Sequence, residues 1–320
     1  MTAGRWSHAA LRVGAAAIAT LLLILCARGI DFGRTASALA SARMGWLAVA
    51  VCADALVLPL WAEFWRSLLP DGVRVARARM LGIVAAASAV MNSAPALAGQ
   101  AVGVGLLVKR AGLSTHSALA VLSLDQLGEG IAKAAIFLFV GFMAPLPGWM
   151  HAAVITVSAG VLVLLVALVA FAHGAGVRLP AASEALATRA ARARGHIQRW
   201  ATGLDVLRSW RRAGRALVQV LSMKCMDLIA IMAVARAMGV SLSLGGGLLV
   251  LAAVILATML PLAPASLGAY EAAVILAYRE LGVPPETALA IAVLQHAAAL
   301  LPLVGVGYAD TLRRSAIARA

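Results

Sequence analysis

The sequence predicts an all-α integral membrane protein with about six transmembrane helices and two re-entrant helical hairpins, arranged as an inverted-topology internal repeat. Three observations predict it. The 320 residues are 63% hydrophobic and 12% charged, with a mean hydropathy of +0.95, whereas a soluble domain is nearer half apolar and a quarter charged. Apolar runs close to the roughly 20 residues that one helical span requires recur along the chain. Two further runs are broken midway by proline and glycine, and the stretches after the breaks resemble each other at a fixed offset.

Taken in order, spans are expected at about 11–27 and 46–61. The first, preceded by Arg5 and Arg12, is read as an uncleaved helix rather than a signal peptide because so many spans follow. The run 80–108 is interrupted at Asn92-Ser93-Ala94-Pro95, with Gly99 shortly after. Proline removes a backbone donor and disfavours helix in the residue before it. Each arm is then too short to span, which suggests a re-entrant hairpin; two short complete spans are the alternative. Spans follow at about 117–142, 150–172 and 216–238. A second broken run, 247–278, is split by Pro261, Pro264 and Gly268, and a last span covers about 287–308. Within the loop 173–215, residues 181–207 suit either a basic amphipathic surface helix or a plain solvated loop.

Charge orients these elements. Lys and Arg number 27 against 13 Asp and Glu, a formal net charge of +14. The charges lie between apolar runs instead of on one folded face, so they argue against a nucleic-acid module and for the positive-inside pattern of a membrane protein. The arginine-dense stretches 66–79 and 173–215 and the C-terminal tail are placed in the cytoplasm. The chain is thus expected in a bacterial inner membrane with both termini cytoplasmic. The turn at 145–148 and the stretch 239–246 fall outside. The loop 28–44, with Arg28, Arg34 and Arg43, falls outside against the rule. Basic loops also favour anionic or polar-headed membrane lipids as partners. The three cysteines have no pairing or metal spacing.

The repeat rests on short matches. Lys109 to Leu113 corresponds to Arg279 to Val283, Ala118-Leu119-Ala120 to Ala288-Leu289-Ala290, and Leu124-Asp125-Gln126 to Leu294-Gln295-His296, all offset by 170. Pro95 and Gly99 match Pro264 and Gly268 at 169, and Cys52-Ala53-Asp54 echoes Cys225-Met226-Asp227 at 173. The whole chain reads as one polytopic domain, with repeat 1 over about 11–143 and repeat 2 over about 150–309. Three spans and one hairpin per repeat would invert the second copy, an architecture common among secondary transporters. Non-helical backbone at mid-membrane depth must be buried in protein or line a wet cavity, so a polar cavity is expected at the two breaks.

Charged residues inside spans mark functional candidates, since each costs about 2.5–3.5 kcal/mol at the bilayer centre on insertion scales. Asp125, Glu129 and Lys133 recur every four residues on one helical face. They suit a substrate groove, or Glu129 and Lys133 neutralise each other while Asp125 bonds a neighbouring helix. Asn92, Gln100, Gln126, Glu271 and His296 are the other groove candidates. Glu271 is equally placed to cap a helix N-terminus. Asp54 and Asp227 suit interhelical bonding or coupling. No cofactor or metal set is expected. No phosphate-binding loop, His-Glu-x-x-His or Gly-x-Ser-x-Gly motif occurs, which argues against ATP-driven transport and against a recognised hydrolase.

These residues carry a resemblance. Asn92…Pro95-x-x-x-Gly99-Gln100, Leu106-x-x-Lys109-Arg110-x-Gly112 and Ala118…Asp125-Gln126 resemble the first half of the lysylphosphatidylglycerol synthase transmembrane (flippase-like) family. Pro261-x-x-Pro264-Ala265-Ser266-Leu267-Gly268-x-x-Glu271 is similar to that family's Pro-x-Pro-Gly-Gly-x-Gly-x-x-Glu signature. The resemblance implies a stand-alone member, without the aminoacyltransferase domain, that moves a polar-headed lipid between leaflets within a hopanoid, glycolipid or aminoacyl-lipid pathway. Two positions depart from the family pattern: Gln100 stands where the first motif has an acid, and Ala265-Ser266 replaces the usual glycine pair. Two other classes compete with a translocator. A membrane-embedded lipid-phosphate enzyme would need an arginine–serine motif at a hairpin. An accessory subunit of a lipid-synthesis complex would dock a biosynthetic enzyme through the basic loop.

Overall fold

A computed structural model describes residues 30–93, 96–143, 147–172, 209–259 and 264–317. The first expected span, Pro95, Pro261 and nearly all of the basic loop lie outside the described residues. Among the described residues every regular element is helical.

A short helix α1 (Phe32–Ala40) begins at Asp31, whose carboxylate accepts the amides of Gly33 at 2.8 Å and Arg34 at 3.1 Å. This is side-chain capping of otherwise orphaned N–H groups. α2 (Met44–Ser67), α3 (Arg77–Ser93), α4 (Ala96–Ala111), α5 (Thr115–Met143) and α6 (Gly148–Ala172) follow. After the basic loop come α7 (Trp210–Ala237), α8 (Leu244–Met259), a single 3₁₀ turn at Pro264–Ser266, α9 (Ala269–Glu280) and α10 (Pro285–Ile317). Among the described residues, four segments are long and apolar enough to cross a membrane: Met44–Ser67, Thr115–Met143, Trp210–Ala237 and Pro285–Ala309.

The broken run 80–108 folds as two helices, α3 and α4, of 17 and 16 residues. At 1.5 Å per residue each is about 25 Å long, below the roughly 30 Å of a bilayer core. They pack against each other tightly where the chain turns. A side chain at Gly99 would come within 2.6 Å of the Met91 Cα, so only glycine admits this approach.

The most extensive helix pairing is α2 with α7. It is antiparallel and tied at both ends. At one end the Arg43 amide donates to the Ala237 carbonyl at 2.9 Å, and Arg236 stacks on Trp46 at 5.3 Å. At the other, the Ser67 hydroxyl donates to Gln219 Oε1 at 2.7 Å, and Arg212 pairs with Asp71.

The interior divides into two apolar clusters. One gathers Leu58, Phe64, Trp65, Met80, Leu107 and Met223; the other gathers Phe137, Met150, Val234, Val250, Ile275 and Tyr278. Three helices run from one cluster into the other. α2 changes over between Ala53 and Leu58, α5 between Ala132 and Ile136, and α7 between Met223 and Ala230. Large apolar side chains also face outward, among them Phe139, Phe142, Ile155, Val163 and Val218. That surface suits hydrocarbon as its solvent, since a water-soluble monomer rarely exposes so much.

Candidate functional site

The polar residues of α2, α5 and α7 fall at or beside those changeovers. They open on a cavity of about 580 Å³, within the range of small-molecule sites. Its walls include Asp54 and Trp61 of α2, Ser88 and Asn92 of α3, and Gln100 of α4. α5 contributes Asp125, Gln126, Glu129 and Lys133, and α7 contributes Lys224 and Asp227. Ala265, Ser266 and Tyr270 close it from the second break, with Gln295 and His296 of α10.

Asp125 is 1% exposed. Its Oδ1 accepts the indole N–H groups of Trp61 and Trp65, each at 2.8 Å, and Oδ2 accepts from Gln126 at 3.1 Å. The two indoles meet edge to face at 5.9 Å. Their spacing of four residues puts both on one side of α2, so a single carboxylate is gripped by one helical turn. Glu129 pairs with Lys133 at 3.6 Å one turn along α5 and with Lys224 at 3.2 Å across on α7. Lys224 in turn reaches Asp227 at 3.2 Å. Thus Glu129 is paired with two lysines, and the α5 face lines the cavity. Asn92 bonds back to the Ser88 carbonyl at 2.9 Å.

At the other wall Glu271 serves two groups at once. Oε2 accepts the Gly268 amide at 2.7 Å, capping the start of α9, and Oε1 meets His296 Nδ1 at 2.5 Å. His296 also stacks on Tyr270 at 4.1 Å, and Gln295 donates to the Tyr270 hydroxyl at 2.9 Å. The cap expected of Glu271 and the buried histidine are therefore one unit. Before it, Ala265 and Ser266 hold φ of 53° and 55°, the left-handed region that non-glycine residues rarely occupy.

Of the residues singled out in the sequence, Asp54, Asn92, Gln100, Asp125, Gln126, Glu129, Lys133, Asp227 and His296 line this one cavity, and Glu271 bonds to its wall through His296. Gly99 lies at the α3–α4 approach and Gly268 at the start of α9. Lys224, Trp61, Trp65 and Tyr270 were not singled out. Lys224 carried a usable signal: a second charge three residues before Asp227 in an apolar span. Among the described residues no arginine lines the cavity, so the arginine–serine pair of a lipid-phosphate enzyme is not assembled around Ser266. No group of three or more His, Cys, Asp or Glu side chains is placed to hold a metal ion among the described residues.

A multi-pass helical membrane protein with a polar cavity between two apolar cores is the class this fold and site define. Residues 12–307 match the family described as the lysylphosphatidylglycerol synthase TM region, and the chain belongs to that family. The match is to the membrane region, and it points to a role connected with membrane lipids. No match was found among curated proteins.

Proposed function

We propose that the chain is a lipid translocator that moves a polar-headed lipid between the leaflets of a bacterial inner membrane. The observation that carries this reading is the cavity itself. It lies where α2, α5 and α7 pass between apolar cores, and its polar walls come from both halves of the chain. A head group would occupy the cavity while its acyl tails stay in lipid. That separation lowers the cost of carrying polar atoms across hydrocarbon, where each unsatisfied group costs several kcal/mol.

The short lengths of α3 and α4 and their tight turn support a re-entrant hairpin, and the 3₁₀ turn before α9 supports its inverted counterpart. On this reading residues of about 11–143 and 150–309 form two opposed repeats. The tied ends of α2 and α7 support a shared side for the arginine-dense stretches near 66–79 and 209–215, which the positive-inside rule assigns to the cytoplasm.

Reconstitution into vesicles with head-group-labelled lipids tests this. Accelerated leaflet exchange of at least one lipid class over protein-free vesicles is expected. Exchange no faster than in empty vesicles, across zwitterionic, anionic, cationic and glycosylated head groups, would rule the translocator out.

A further inference from the structure

The cavity leaves one charge unanswered. Asp125 has three N–H donors, Glu129 has two lysines, and Asp227 shares Lys224 with Glu129. Glu271 is held by His296 and the Gly268 amide. Asp54 is only 7% exposed and lines the same cavity, yet it has no hydrogen-bond or ion-pair partner among the described residues. Asp227 lines the same cavity from α7, the helix that packs most extensively against α2.

A second unmet group points the same way. Gln295 is 3% exposed; its Nε2 is anchored on Tyr270, while its Oε1 is buried without a partner. Gln295 and Tyr270 line the same cavity as Asp54 and Asp227. Both vacant positions are acceptors. The cavity therefore calls for a donor or a cation, and an anion would meet four lining carboxylates against two lysines, both already engaged.

We propose that Asp54 and Asp227 form a binding site for one small monovalent cation, a proton or an alkali-metal ion, and that its occupancy couples the cavity to an ion gradient. A divalent ion is a poor fit, because the described residues bring together no group of three or more acidic, His or Cys side chains to offset its charge. A monovalent ion matches Asp54, the one lining carboxylate with neither an ion pair nor a hydrogen bond among the described residues. Removing one partner from a buried charge pair is strongly unfavourable, so the empty site would favour a changed arrangement of α2 against α7. That is how occupancy would be transmitted. The titratable and charged groups that line the cavity with Asp54 are Lys224 and Asp227 on α7, Asp125, Glu129 and Lys133 on α5, Tyr270 on α9 and His296 on α10. α3 contributes the neutral Ser88 and Asn92. Of the acids, Asp125 is held by three N–H donors and Glu129 by two lysines, whereas Asp227 has Lys224 alone.

The binding half stands on the shared cavity and its two unmet acceptors; the coupling half rests on the translocator reading. The full chain in nanodiscs of zwitterionic lipid serves for the first. Sodium is titrated against choline at constant ionic strength and pH 8, and pH is titrated from 8 to 5 in choline. Thermal midpoint and the fluorescence of Trp61 at the cavity wall are the readouts. A saturable response to sodium, to protons, or to both in competition is expected, and it identifies the ion. Asp54→Asn is expected to abolish it or weaken apparent affinity at least tenfold, whereas the exposed Asp71→Asn keeps it. Other ionisable groups line the same cavity, so only the part of a pH response lost in Asp54→Asn counts. No saturable response, or one unchanged in Asp54→Asn, overturns the site. If Asp54→Asn does not fold, Asp227→Asn decides: a tenfold loss of affinity supports the site and unchanged affinity overturns it. Lipid exchange under an imposed gradient of the identified ion tests coupling. Exchange indifferent to the gradient overturns coupling and leaves the translocator standing. Cation binding without any exchange defeats the translocator and leaves the site.

Discussion

Ala265 and Ser266 occupy backbone that costs an L-residue about 1–2 kcal/mol each, because Cβ crowds the carbonyl oxygen. Strain of this kind persists where surrounding structure over-determines it. Here the Glu271 cap on Gly268 and the 3₁₀ turn hold the segment. The family signature has a glycine pair at these two positions, and the left-handed backbone is the physical reason. Ala265→Gly should therefore raise stability by about 0.5–1 kcal/mol, the released strain less the greater unfolded-state entropy of glycine. Thermal unfolding in detergent measures it, and a lower midpoint would mean that the segment is not left-handed. Single residues were unevenly legible. Charges in apolar spans announced themselves, so Asp54, Asp125, Glu129, Lys133 and Asp227 could be named from the sequence. Trp61 and Trp65 could not, since indoles in an apolar span read as packing or interface anchors until their N–H groups find a carboxylate.

At the level of elements, hydropathy located the four long spans among the described residues. The arginine-dense stretches 66–79 and 173–215 were assigned to one side on charge alone, and the structure joins Asp71 to Arg212 and Ser67 to Gln219 there. The loop 28–44 was read as irregular, but it contains α1. Nine residues are too few for a periodic signal to stand out, and the Asp31 cap was the available clue. The membrane-crossing part of α10 was legible as about 287–308, but its continuation to Ile317 and its contact with α3 were not. A side chain at Gly307 would lie 2.5 Å from Ala89 Cβ and against the Ala85 carbonyl. Close crossings of this kind use small residues, because packing rather than hydrophobic exclusion drives association in lipid. Gly307→Val should destabilise the protein by about 1–3 kcal/mol through overpacking. Unfolding midpoints test this against Gly305→Val, whose site meets no neighbouring atom within 4 Å. Equal midpoints would show that the crossing yields.

Across the whole molecule, two apolar cores meet at a polar layer, and the layer is bonded across the chain's two halves. Lys224 is the centre of that bond, with Glu129 on one side and Asp227 on the other. Lys224→Met leaves two partly buried carboxylates short of a partner and should cost about 1–3 kcal/mol. Adding Glu129→Gln and Asp227→Asn should recover most of the loss, since a neutral set needs no counter-charge. Unfolding of the single and triple variants decides it, and a triple variant no better than the single would show that Lys224 acts through shape. The cavity was legible as an expectation from the two breaks, but its position between two cores was not, because long-range packing leaves no local pattern. The cross-chain arrangement also bears on how the protein is made. A helix enters the bilayer as it leaves the ribosome, and α5 arrives with Asp125, Glu129 and Lys133 well before Lys224 has been synthesised. Until then Glu129 has Lys133 alone, at the longer of its two distances. The nascent first half is thus electrically incomplete within the membrane, and arrival of α7 is the event that commits it to its native place.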